Sequence, residues 1–98
     1  MVDLSLDASL KVSDEVVFRE LDGEGVILNL ASGFYFGLDA TGTRMWQLIE
    51  QHGQLSAVLS VLCDEYQAPP ETIERDLVRL ASELAQNGLL VPRDRETP

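Results

Sequence analysis

One cysteine and one histidine in 98 residues leave almost nothing from which metal or nucleophilic chemistry could be assembled. Cys63 has no partner for an intrachain disulfide and no second thiol for a zinc site, so nothing points to an oxidising compartment. It sits in SVLCDEY at helical spacing, where a small thiol packs as a core side chain. His52 comes just before Gly53 at the end of a helical pattern, where an imidazole suits the negative end of the helix dipole. With no second histidine it completes no catalytic triad.

Positive charge is also scarce. Seven Lys and Arg stand against 17 Asp and Glu, a net charge of -10 with a pI near 4.2. Nucleic-acid binding draws its affinity from clustered basic residues, so this balance opposes it. No apolar run approaches the roughly 20 residues that span a bilayer, and the N-terminal MVDLSLDASLK has neither the basic nor the apolar region of a signal peptide. A cytoplasmic location without membrane contact is expected. The glycines form neither a GxGxxG nor a P-loop pattern; Gly23, Gly25, Gly33 and Gly37 fall in hairpins. The paired acids Asp14-Glu15, Asp64-Glu65 and Glu71-Glu74 fall on turns or exposed helix faces, where solvation accounts for them. The expectation is a protein that is not an enzyme and uses no cofactor.

What remains is an ordinary globular composition, 45% hydrophobic and 24% charged, expected to fold as one domain over residues 1–98 with a core from about 11 to 92. Residues 1–10 alternate weakly through Leu4, Leu6, Ala8 and Leu10, which suits a loosely held arm or a strand formed only against a partner. VVFREL, 16–21, reads as a strand, and Asp22-Gly23 as a two-residue turn into a second strand over 25–30. Ser32-Gly33 reads as another two-residue turn, leading into a third strand over 34–38. On that register Phe18, Ile27, Asn29, Phe34, Phe36 and Leu38 share one face, and Val17, Val26, Leu28, Leu30 and Tyr35 the other. Both faces are apolar, more than one helical layer covers.

Three helices follow. Asp39 suits the N-cap of the first, which runs over 40–51 with Met45, Trp46, Leu48 and Ile49 inward; the second, 55–66, stacks Leu55, Val58, Leu59, Leu62, Cys63 and Tyr66. Pro70 and Glu71 suit the first turn of the third, and Gly88 stops it near Asn87. Its core stripe is Ile73, Leu77, Leu80 and Leu84; Val78, Ala81 and Ala85 form a shoulder, with Arg75 and Arg79 on the back or other flank. Leu89 to Val91 form a return strand or pack beneath the sheet, and the charged tail RDRETP is expected to fray. Strands followed by helices predict an α+β, winged-helix-like domain, a three-stranded antiparallel sheet and then three helices. A DNA-binding role for the third helix is opposed by Glu71, Glu74, Asp76 and Glu83 against Arg75 and Arg79.

The string GFYFGLDATG from Gly33 to Gly42, the following Met45-Trp46-Gln47-Leu48-Ile49, Tyr66, the Pro69-Pro70-Glu71 helix start, Asp76-Leu77 and the closing Leu84 to Val91 segment together resemble the PqqD family. These are the small peptide chaperones, or precursor-peptide recognition elements, of ribosomally made, post-translationally modified peptide pathways. The likeness covers about residues 11 to 92. It implies a domain that binds the leader segment of a precursor peptide as an added strand, between the third strand and the third helix. The partner so served is a modifying enzyme, either a radical-SAM enzyme or a leader peptidase. Carried onto this sequence, the peptide-binding positions are Phe34, Tyr35, Phe36 and Gly37 on the strand, with Arg75, Val78, Arg79 and Ala81 on the helix. The periodicity allows either helix flank to face the strand. The aromatic Ser32-Gly33-Phe34-Tyr35 departs from the pyrroloquinoline quinone chaperone and favours a lasso-peptide or otherwise divergent pathway. An aromatic sheet edge suits capture of another chain on residue grounds as well. The competing reading is a structural module whose second apolar face pairs with itself; the oligomeric expectation is a monomer or weak homodimer.

Overall fold

The computed structural model describes residues 5–93. Leu4 and the tail beyond Arg93 lie outside the described residues. The chain runs β1 (Leu10–Val12), β2 (Val16–Leu21), β3 (Glu24–Asn29), β4 (Tyr35–Leu38), α1 (Ala40–His52), α2 (Leu55–Glu65), α3 (Pro70–Gln86) and β5 (Leu90–Pro92). β2, β3 and β4 form an antiparallel meander in that order, and β1 pairs with β5 in a separate two-stranded sheet. This is the predicted α+β, winged-helix-like arrangement with one small sheet added.

The first hairpin forms as read from the sequence. Leu21 pairs with Glu24 across Asp22 (φ 55°) and Gly23 (φ 83°), two left-handed residues in succession, as a type I′ turn requires. The second differs. Leu28 pairs with Tyr35, and the Asn29 N–H donates to the Phe34 carbonyl at 2.8 Å, so four residues, Leu30 to Gly33, make the loop rather than two. Asn29 is the physical reason. Its side-chain oxygen accepts from the Ala31 N–H at 2.9 Å and the Ser32 N–H at 3.3 Å, while its carbonyl accepts from Gly33 at 2.8 Å. An Asx turn thus replaces a tight hairpin, and Leu30 lies in the loop instead of on the sheet.

The face assignment survives this change because the longer loop preserves parity. Ile27 is fully buried, Leu38 and Asn29 nearly so, and Phe18 and Phe36 pack against the core from the same side. Val17, Val26 and Tyr35 on the opposite face are exposed.

The helices cover only the inner face. Asp39 caps α1 by accepting from the Gly42 N–H at 2.8 Å, and Gly53 (φ 81°) ends it. Trp46 is fully buried with its ring 5.8 Å from that of Phe18, which fixes α1 against the sheet. Gly25 is tied to the same contact: a Cβ there would stand 2.5 Å from the Phe18 ring. α3 begins at Pro70 with Glu71 in its first turn and ends in a Schellman motif, Gly88 N–H to Ala85 and Leu89 N–H to Leu84. Its buried stripe is Ile73, Leu77, Ala81 and Leu84, so Ala81 belongs to the core and the half-buried Leu80 lies beside it, the reverse of the expected placement. Ala81 fits where α3 packs closely because it is small.

From Ser5 onward the N-terminal segment is not a loose arm. Leu10 is buried, β1 pairs with the chain's own β5, and the carbonyls of Ala8 and Leu6 accept from the N–H groups of Leu55 and Ser56. Those are first-turn donors of α2, whose N-cap residue Gln54 makes no side-chain cap. No described helix is long and apolar enough to cross a membrane.

Candidate functional site

Register and alternation determine which backbone groups of β4 are free. The Asn29–Phe34 bond makes 29–34 a hydrogen-bonded pair, so 27–36 and 25–38 are hydrogen-bonded pairs too. The N–H and C=O groups of Tyr35 and Gly37 therefore point away from β3, along an edge that no described strand covers. Four backbone polar groups are thus presented in the geometry of an unfinished ladder.

Beside this edge runs a groove of about 420 Å³ between β4 and α3. Phe36, Leu38, Met45 and Leu80 give it apolar lining, and Asp39, Asp76, Arg79 and Glu83 bring charge to it. Thr41 and Gly42, from the first turn of α1, close one part of it. The Asp76 carboxylate accepts from Arg79 at 3.4 Å, an exposed and weak pair. An extended chain laid along Tyr35 and Gly37 would send alternate side chains toward the groove and the intervening ones onto the outer face beside Tyr35 and Val26.

The structure sorts the predicted positions. Phe34, Tyr35, Phe36 and Gly37 lie together at the edge, with Tyr35 71% exposed and the Phe34 and Phe36 rings 6.3 Å apart. Arg79 lies on the groove. Arg75 and Val78 do not; they line a separate depression on the far flank of α3 with Leu6, Glu71 and Glu74, and Arg79 borders both. Ala81 is fully buried and presents no surface. The helix flank that does face β4, Asp76, Leu80 and Glu83, was missed. By spacing Leu80 belongs to the Ile73-Leu77-Leu84 stripe, so its neighbours Asp76 and Glu83 carried no separate signal, and only the packed helix turns that side toward β4.

Nothing in the groove resembles a reacting centre. His52 is exposed at the end of α1, and Cys63 is half-buried on α2. Among the described residues no three His, Cys, Asp or Glu side chains gather as a metal cluster. Among the described residues the buried polar atoms left without a partner, Thr43 Oγ1 and Trp46 Nε1, belong to the α1 core and not to the groove.

The family model described as coenzyme PQQ synthesis protein D (PqqD) matches residues 24–90. Two solved structures are similar over the same fold. TbiB1 in complex with the TbiA(beta) leader peptide is 40% identical, with a TM-score of 0.79 over 87% of this chain and 99% of that one. A lasso peptide synthetase B1 complexed with the leader peptide is 27% identical, with a TM-score of 0.77 over 87% of this chain and 100% of that one. A comparison with curated proteins gave no match.

Proposed function

The chain belongs to the PqqD family, and from that premise we propose that it is a non-catalytic recognition domain that takes the leader segment of a ribosomally made precursor peptide as a strand on β4. It presents that peptide to a modifying enzyme of a lasso-type pathway, in the cytoplasm. The observation that carries the reading is the uncovered β4 edge beside an apolar groove, where Tyr35 and Gly37 offer backbone groups and Phe36, Leu38, Met45 and Leu80 offer an anchor site. The leader peptides bound in both solved relatives support it.

The energetics call for more than backbone pairing. Four backbone hydrogen bonds at about 0.5 to 1.5 kcal/mol net each and one buried apolar anchor at about 2 kcal/mol total about 4 to 8 kcal/mol before association costs, so micromolar affinity requires a second anchor in the groove and a preformed edge that lowers the ordering cost. Backbone pairing holds any sequence; the groove chooses among them.

The test is titration with a lasso-precursor leader, such as the TbiA(beta) leader peptide bound in the 40% identical relative, followed by amide chemical shifts and hydrogen exchange. The Tyr35 and Gly37 amides are expected to shift and gain protection. Unchanged signals at high peptide excess would sink the proposal. Gly37→Pro removes one outward N–H at an edge position where proline is compatible with the sheet, and is expected to lower affinity about two- to tenfold with little loss of stability. A second reading, self-association, draws on the exposed Val17, Val26 and Tyr35. Light scattering across concentration separates them, because a chain that stays monomeric while binding peptide does not pair through that face.

A further inference from the structure

The groove is charged as well as apolar, and its charges do not cancel. Asp76 and Arg79 face each other and largely neutralise. The Glu83 carboxylate has no ion-pair partner among the described residues. Asp39 carries a full negative charge at the α1 N-terminus, where the helix dipole supplies only about half a positive charge. The sum is about one and a half negative charges around an apolar floor, on a chain whose net charge of -10 adds to the same field. A carboxylate side chain entering here would meet repulsion, and an ammonium or guanidinium would meet two acceptors.

Resting on the leader-binding reading above, we propose that this groove selects a peptide carrying a lysine or arginine at a fixed step from its apolar anchor, and that Glu83 is the residue that reads the charge. The apolar part of the ligand lies on Phe36, Leu38, Met45 and Leu80, and its basic side chain extends over them toward Glu83 with the charged end in solvent. Exposure limits the gain at any one position: an open ion pair changes affinity by about two- to fivefold. The selection therefore shows as a bias across many sequences more than as a single tight contact.

The experiment is selection of a displayed library of random 16-residue peptides on the intact protein, repeated on Glu83→Lys and Glu83→Gln. Glu83 is exposed on α3, so both variants are expected to fold, and circular dichroism checks this. Wild type is expected to enrich Lys or Arg at one spacing from an apolar residue, with that preference lost in Glu83→Gln and turned toward Asp or Glu in Glu83→Lys. Binders of equal charge content from all three proteins would overturn the role of Glu83 and leave strand addition standing. If no peptide is enriched on a folded protein, or the binders are indifferent to Gly37→Pro, the leader-binding reading falls and this one with it. Salt supplies a second measure: affinity of a selected wild-type binder should fall two- to fivefold more steeply between low and high salt than its affinity for Glu83→Gln, through screening of the exposed pair.

Discussion

The molecule holds two short sheets, and they differ in who completes them. β1 and β5 pair with each other, Leu10 and Leu90 are buried, and the segment before β1 goes on to satisfy the first turn of α2. β4 is paired on one side only, and Tyr35 next to the groove is 71% exposed. β1, β2 and β5 are also paired on one side only, but the free edge of β4 is the one that borders the apolar groove against α3. An open edge in a stable small domain is a hazard unless something occupies it, and its companion groove on α3 specifies what that occupant must look like.

The sharpest way to separate the two regions is to damage each in turn. Leu10→Ala removes a buried side chain from the closed region and is expected to cost about 2 to 5 kcal/mol of stability, read as a lower urea midpoint, while the peptide affinity of the remaining folded protein holds. Tyr35→Ala at the open edge is expected to change stability by no more than about 0.5 kcal/mol. It should lower peptide affinity about two- to fivefold through loss of one cross-strand contact. If Leu10→Ala weakened peptide binding more than Tyr35→Ala, the regions would not be independent.

Asp39 lies at the junction where β4 becomes α1, so it tests how far the open edge relies on the helix that follows. Asp39→Ala removes the cap on the Gly42 N–H and is expected to cost about 0.5 to 2 kcal/mol, with Asn at this position restoring most of it. Equal losses for Ala and Asn in thermal melts would mean that charge, not capping, is what Asp39 contributes.

Local chemistry was legible in the sequence wherever one element decided its own shape. Asp22-Gly23, the Asp39 cap, Gly53 and the Pro70 helix start are each set by residues within four positions. The second hairpin was misread because Asn29, a strand-like position by pattern, spends its side chain on the loop. The N-terminal segment was misread because its partners, β5 and the start of α2, lie 40 or more residues away. On α3 the sequence showed an apolar face too wide for one stripe. Which flank met β4 depended on a rotation of the helix, and Ala81 against Leu80 decided it through close packing that only the folded chain displays.

The smallest effect is expected away from both sheets, at the Arg44–Glu65 pair that ties α1 to the end of α2 with bonds of 2.9 and 2.6 Å. The hydrogen bonds from Arg44 hold the Glu65 carboxyl below its ordinary value, and those same bonds raise Arg44 above its own. A lowered acid favours the charged form in the folded protein, so the stability it lends is present above the unfolded carboxylate value, about 4.3, and is lost as pH falls through the folded one. The raised Arg44 contributes over the whole working range, since its loss would come only above its already high value. Glu65→Gln should therefore be slightly less stable than wild type near pH 7, with the two urea midpoints converging toward pH 3. The pair is exposed, which keeps the difference small. Peptide affinity at pH 7 should be the same in both, because neither residue lines the groove. A fall in affinity on Glu65→Gln would mean that the packing of α1 on α2 sets the position of Met45 in the groove, and that the open edge is held in shape by the helical layer as a whole.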